Sequence, residues 1–120
     1  MLITLNDIVT STESLRKLTT LDLPIKISFR LLELTKQLEV RLTSFEETRL
    51  TLLKKYGTQT DATNFKIEDV NVEPFSKEME ELLSEELDVN FVKISVDSLP
   101  DSISISAADL RLLSWLFVQA

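Results

Sequence analysis

PIKISFRLLELTKQLEVRLTSFEETRLTLLKKYG, residues 24–57, is the stretch on which the fold turns. Ile27, Leu31, Leu34, Leu38, Phe45 and Leu52 follow 4-3-4-7-7 spacing, which keeps them on one seam of an α-helix. Leu42, Leu53 and Tyr56 widen that seam, and Arg41 and Thr48 interrupt it. Pro24 suits the first turn of a helix, where its missing N–H has no partner to lose. Gly57, the only glycine in the chain, follows Lys54, Lys55 and Tyr56. It is expected as a left-handed residue closing the helix, with the lysines complementing the negative end of the helix dipole. The sequence therefore predicts one helix over about 24–56, about 50 Å long at 1.5 Å per residue.

Working outward, LITL at 2–5 reads as a short strand, with Asn6 or Asp7 capping a helix over about 7–20. A longer strand through Val9, with the helix starting at Thr12, is the alternative. LDLP at 21–24 is a break. Residues 57–71 form a polar connector in which Phe65 and Ile67 alternate as a short strand. An amphipathic helix is expected over about 72–86, with Pro74 in its first turn. Its apolar stripe is Phe75, Met79, Leu82 and Leu83, and its other face is almost wholly glutamate. LDVNFVKISV, 87–96, alternates as the strongest strand. Ser98-Leu99-Pro100-Asp101 is a turn, and Ser106 with Asp109 resembles a capping box. The last helix, about 107–118, is apolar nearly all round and must be buried in the core or against a partner. The result is a single α+β domain, mainly helical: a long central helix, two or three shorter helices and a small sheet of short strands.

Composition removes most chemistry. The 120 residues include no cysteine and no histidine. There is no thiol nucleophile, no zinc–thiolate site and none of the commonest general base. A single glycine cannot build a phosphate-cradling loop. No cofactor is called for. The formal net charge is −7, and it is local. Residues 1–60 hold nine basic and seven acidic side chains, whereas 61–90 hold two basic and ten acidic. That block argues against direct nucleic-acid binding, which needs a cationic footprint. There is no basic-then-apolar leader and no apolar run of the roughly 20 residues that span a bilayer.

Three functional readings follow. The long helix exceeds the roughly 30–35 Å diameter expected of a domain this size. Either its seam packs within the monomer, or part of it is covered by another chain. The contact residues offered by the sequence are Leu31, Leu34, Leu38, Arg41, Phe45 and Leu52 on the seam, with Trp115 and Phe117 at the C-terminus. In the second reading Glu78, Glu81 and Glu85 form a DNA-mimicking face that inhibits a host protein. The plainer account of them is a solvated surface. In the third, Glu80-Glu81 and Glu85-x-x-Asp88 hold Mg²⁺, as in helical nucleotide pyrophosphohydrolases. The partner motif on a neighbouring helix is missing.

The order LITLNDI, the long helix ending KKYG, VEPFSKEMEELLSEELDVNF and ISAADLRLLSWLF resembles a group of small acidic proteins encoded by tailed bacteriophages. The resemblance implies a phage origin, in the host cytoplasm or the virion, and a non-enzymatic role in virion assembly or host interaction. Its partners would be copies of itself or other proteins. It supplies no site residues.

Overall fold

The computed structural model describes residues 1–118. The elements run β1 (Leu2–Thr4), α1 (Leu5–Thr19), α2 (Ile25–Tyr56), β2 (Gly57–Gln59), β3 (Phe65–Ile67), α3 (Asp69–Leu83), β4 (Glu86–Asp88), β5 (Ile94–Ser95), a 3-10 turn (Val96–Ser98), α4 (Ala107–Leu112) and β6 (Phe117–Val118). The expected α+β, mainly helical class is what the chain adopts. The sheet is not one unit. The strands form three separate pairs: β1–β4 and β2–β3 antiparallel, β5–β6 parallel.

The central helix has almost its predicted bounds, and Pro24 is its N-cap residue. The buried residues of α2 are Ile27, Leu31, Leu34, Leu38, Phe45 and Leu52, the same six that the spacing selects. Gly57 is different from expectation. Its φ is −119° and its ψ 170°, so it is extended and begins β2 directly. What excludes a side chain there is space. A Cβ would lie 2.8 Å from the Leu53 carbonyl oxygen and 3.1 Å from that of Lys66. Residues 57–67 are accordingly a hairpin and not a loose connector. Asp61 closes its loop by accepting hydrogen bonds from the N–H groups of Thr63 and Asn64, both at 2.9 Å.

At the N-terminus the strand-then-helix reading holds, but the cap is Thr4. Its hydroxyl accepts from the Asp7 N–H (3.1 Å) and Asp7 accepts from the Thr4 N–H (3.3 Å), a complete capping box. The acidic helix starts three residues earlier than expected and stops at Leu83, not 86. Pro74 sits inside it. The Asn71 side chain donates to the Tyr56 carbonyl (3.0 Å), fastening the first turn of α3 to the end of α2. That tie carries the helix ahead of the proline. The predicted strand 87–96 is split. Between β4 and β5, Gln37 of α2 accepts from the Asn90 N–H and donates to the Asn90 carbonyl, both at 2.9 Å, replacing a strand partner. The predicted helix 107–118 stops at Leu112. A helix apolar all round needs cover on every side; turns instead deliver Leu113, Trp115, Leu116 and Phe117 inward, all buried.

The main core lies around the N-terminal half of α2. There α1, the residue that follows β4, β5 and the C-terminal turns contribute Ile8, Leu15, Leu18, Val89, Ile94, Leu113 and Leu116. The distal half of α2 is covered by α3, no residue of which is fully buried. Tyr56 and Phe75 meet edge-on there, with ring centres 6.3 Å apart. The molecule measures 51 × 26 × 24 Å. Its radius of gyration is 17.2 Å, against about 13.6 Å for a compact chain of this length.

Candidate interaction surface

The fold disperses the residues that the sequence offers as contacts. Leu31, Leu34, Leu38, Phe45 and Leu52 are buried in the chain's own interior, so the seam packs within the monomer. Arg41 is exposed beside it, at the position where the seam lacks an apolar residue. Phe117 is buried in β6, paired with Ile94. Trp115 is buried as well, and its indole N–H donates to the Ser11 hydroxyl at 3.2 Å. Both aromatics are core.

The acidic face is divided. Glu78 turns toward α2, where Lys55 Nζ donates to its Oε1 at 3.1 Å. The Tyr56 hydroxyl and the Lys55 ammonium hold its carboxyl below the usual glutamate range. Glu81 is exposed on α3. Glu85 lies beyond the helix end, and its carbonyl accepts the Leu5 N–H at 2.9 Å. Asp88 is in β4, where its Oδ1 accepts from the Met1 ammonium at 3.1 Å. Glu85 and Asp88 thus share no helical face with Glu80 and Glu81. Among the described residues no group of three or more acidic side chains is placed to hold a metal ion. Among the described residues no helix is long and apolar enough to cross a membrane.

One more polar cluster ties α4 to α1. The Ser14 hydroxyl donates to Asp109 Oδ1 at 2.7 Å, and Lys17 lies 3.9 Å from the same carboxylate. Ser14, then Ser106, hold the Asp109 carboxyl below its ordinary range. The Ser106 hydroxyl caps the Asp109 N–H, as the sequence suggests, but the Asp109 side chain faces α1. This cluster is structural.

What remains exposed and apolar lies on the other side of α2. Ile25 is 82 % exposed, Phe29 61 %, Leu32 51 %, Val40 67 % and Leu50 40 %. At 100° per residue all five fall within a band about 80° wide. That band is centred on the side of the helix opposite the buried seam. Lys36, Thr43, Glu47 and Lys54 complete it. Beside Leu32 the band borders a groove of about 470 Å³ between α1 and α2, floored by Ile8, Leu15, Leu31 and Leu38. Arg16 and Glu39 stand among its lining residues, and it holds no nucleophile–base pair. Counting 4-3-4 from Ile25 finds the outer band in the sequence. The stronger seam from Ile27 masks it, because composition alone does not say that only one of two stripes is covered. Comparisons with protein-family models, curated proteins and solved structures find no match.

Proposed function

We propose that this chain is a non-enzymatic assembly protein of the phage type, acting through protein–protein contacts made by the outer face of α2. The observation that carries the reading is the aligned exposure of Ile25, Phe29, Leu32, Val40 and Leu50 on the side facing away from the core. A single exposed leucine is ordinary on any protein. Five exposed apolar residues aligned along one face of a helix, interrupted by Lys36, Thr43 and Glu47, form an apolar stripe of the kind found at contact sites. The elongated shape supports it too, since α2 presents this face over nearly its whole length and, among the described residues, nothing covers it. Partners are further copies of the chain, or other virion proteins, met in the host cytoplasm or in the particle.

Light scattering over a range of concentrations tests this. A mass that rises above 13.7 kDa with concentration is expected. A mass of one chain at every concentration, together with absence of the protein from purified particles, rejects the proposal.

A further inference from the structure

We infer that the β2–β3 hairpin and α3 form a strap that opens as one unit from the distal half of α2 while the main core stays folded. The extent of the core carries this division. Its buried members on α2 run from Ile27 to Leu38, with Leu42 packed at the edge. Among the described residues it includes no member of β2, β3 or α3, and neither Phe45 nor Leu52. Those two are the buried residues of α2 beyond Leu38. Their cover comes from α3, on which Phe75, Met79, Leu82 and Leu83 are each only half-buried. Segments that open below the global unfolding limit are those with few buried apolar contacts.

The polar ties along α3 gather at one end of α2. The Asn71 side chain donates to the Tyr56 carbonyl, Phe75 meets the Tyr56 ring edge-on, and Glu78 takes Lys55 and the Tyr56 hydroxyl. The Lys55 and Glu78 side chains are 55 % and 37 % exposed, and an ion pair so open to water contributes little. The strap is also a closed excursion of the chain. It leaves from the end of α2 and returns at β4, whose pairing with β1 fixes Glu86–Asp88. The return point is anchored as well, because the Glu85 carbonyl accepts the Leu5 N–H at 2.9 Å. Residues 57–84 therefore lift without unpairing β1 from β4 or β5 from β6. The distal turns of α2 then continue a helix that the core has already nucleated. Opening exposes Phe45 and Leu52 of α2 and the apolar stripe of α3, on the side opposite the outer band. The closed strap keeps that side from contact with other chains.

Native-state hydrogen exchange tests this, under conditions where exchange follows the opening equilibrium. Protection factors for the amides of 43–56 and 69–83 should lie at least about tenfold below those of α1 and 27–38. Low urea should bring the distal amides onto one common opening isotherm, as expected of a cooperative unit. Ile8→Val, a small change deep in the main core, separates one unit from two. It should lower protection in α1 and 27–38 about fivefold. The distal amides should keep their wild-type protection, because Ile8 stays packed when the strap opens. Phe75→Ala should lower the distal protection about tenfold. Equal protection in the two regions, or an equal loss in both from Ile8→Val, overturns the strap, since the chain then opens as a whole. Distal amides that share no isotherm fray residue by residue, and that result overturns it too.

Discussion

Ser11→Ala isolates one buried hydrogen bond and allows its worth to be worked out. Ser11 is fully buried on α1 and is the acceptor for the Trp115 indole N–H, 104 residues away. An indole has one donor and no other way to satisfy it inside an apolar core. Removing the hydroxyl leaves that donor stranded, which costs about 1–3 kcal/mol. Two effects work against the cost. Alanine is the better helix former by up to about 0.5 kcal/mol. The Asp7 carbonyl, which also accepts from the Ser11 hydroxyl, is four residues back in the helix and keeps its backbone partner. The net loss is about 0.5–2.5 kcal/mol. With a urea slope of about 1–3 kcal/mol per M, a central loss moves the midpoint down by about 1 M. Trp115 is the only tryptophan, so its fluorescence follows unfolding and reports the site directly. The decisive comparison is Ser11→Ala in a Trp115→Phe background, where no donor remains to be stranded; that background has no tryptophan, so unfolding of all four proteins is followed by circular dichroism. There Ser11→Ala should be nearly neutral. A loss below about 0.3 kcal/mol in the wild-type background, or an equal loss in both backgrounds, refutes the reasoning.

Three other outcomes are expected. Leu34→Ala, at 0 % exposure, should cost about 2–5 kcal/mol in urea titration, whereas Leu32→Ala, two residues along and half exposed, should cost under about 1 kcal/mol. Gly57→Ala should destabilise by about 1–2 kcal/mol by thermal melting, because the new Cβ presses on two backbone carbonyls; the φ there suits any residue, so a stable variant would mean that the hairpin yields. Asp109 has its folded pKa depressed by Ser14 and Ser106, so its contribution is complete above the unfolded value near 3.9 and disappears as pH falls through the folded one. Urea midpoints between pH 7 and 3 should fall on the acid side, and Asp109→Asn should flatten that fall.

The part of the fold carried by local periodicity was legible in the sequence. The seam of α2 is the clearest case, because spacing alone identifies its six buried residues. The failures arise where a distant group decides. Pro74 marks a helix start by local rules, yet Asn71 is anchored to Tyr56, so α3 begins before it. The alternation through 87–96 reads as one strand, yet Gln37 takes the Asn90 backbone and splits it. Residues 113–117 lack a polar face, and this gave the correct burial with the wrong conformation. The candidate surface was the hardest to read. Periodicity finds both stripes of α2 but does not tell which one the other elements cover. The apolar residues with the best spacing are therefore core, and the weaker stripe is the exposed one.

Sedimentation velocity on the wild-type chain and on Phe29→Glu with Leu32→Glu, at matched concentrations, tests the outer face of α2 most directly. Both side chains are more than half exposed, so the variant should keep the wild-type melting curve. The account predicts that the wild type sediments increasingly fast as concentration rises while the folded variant remains a single chain. Identical concentration dependence in the two proteins would contradict it.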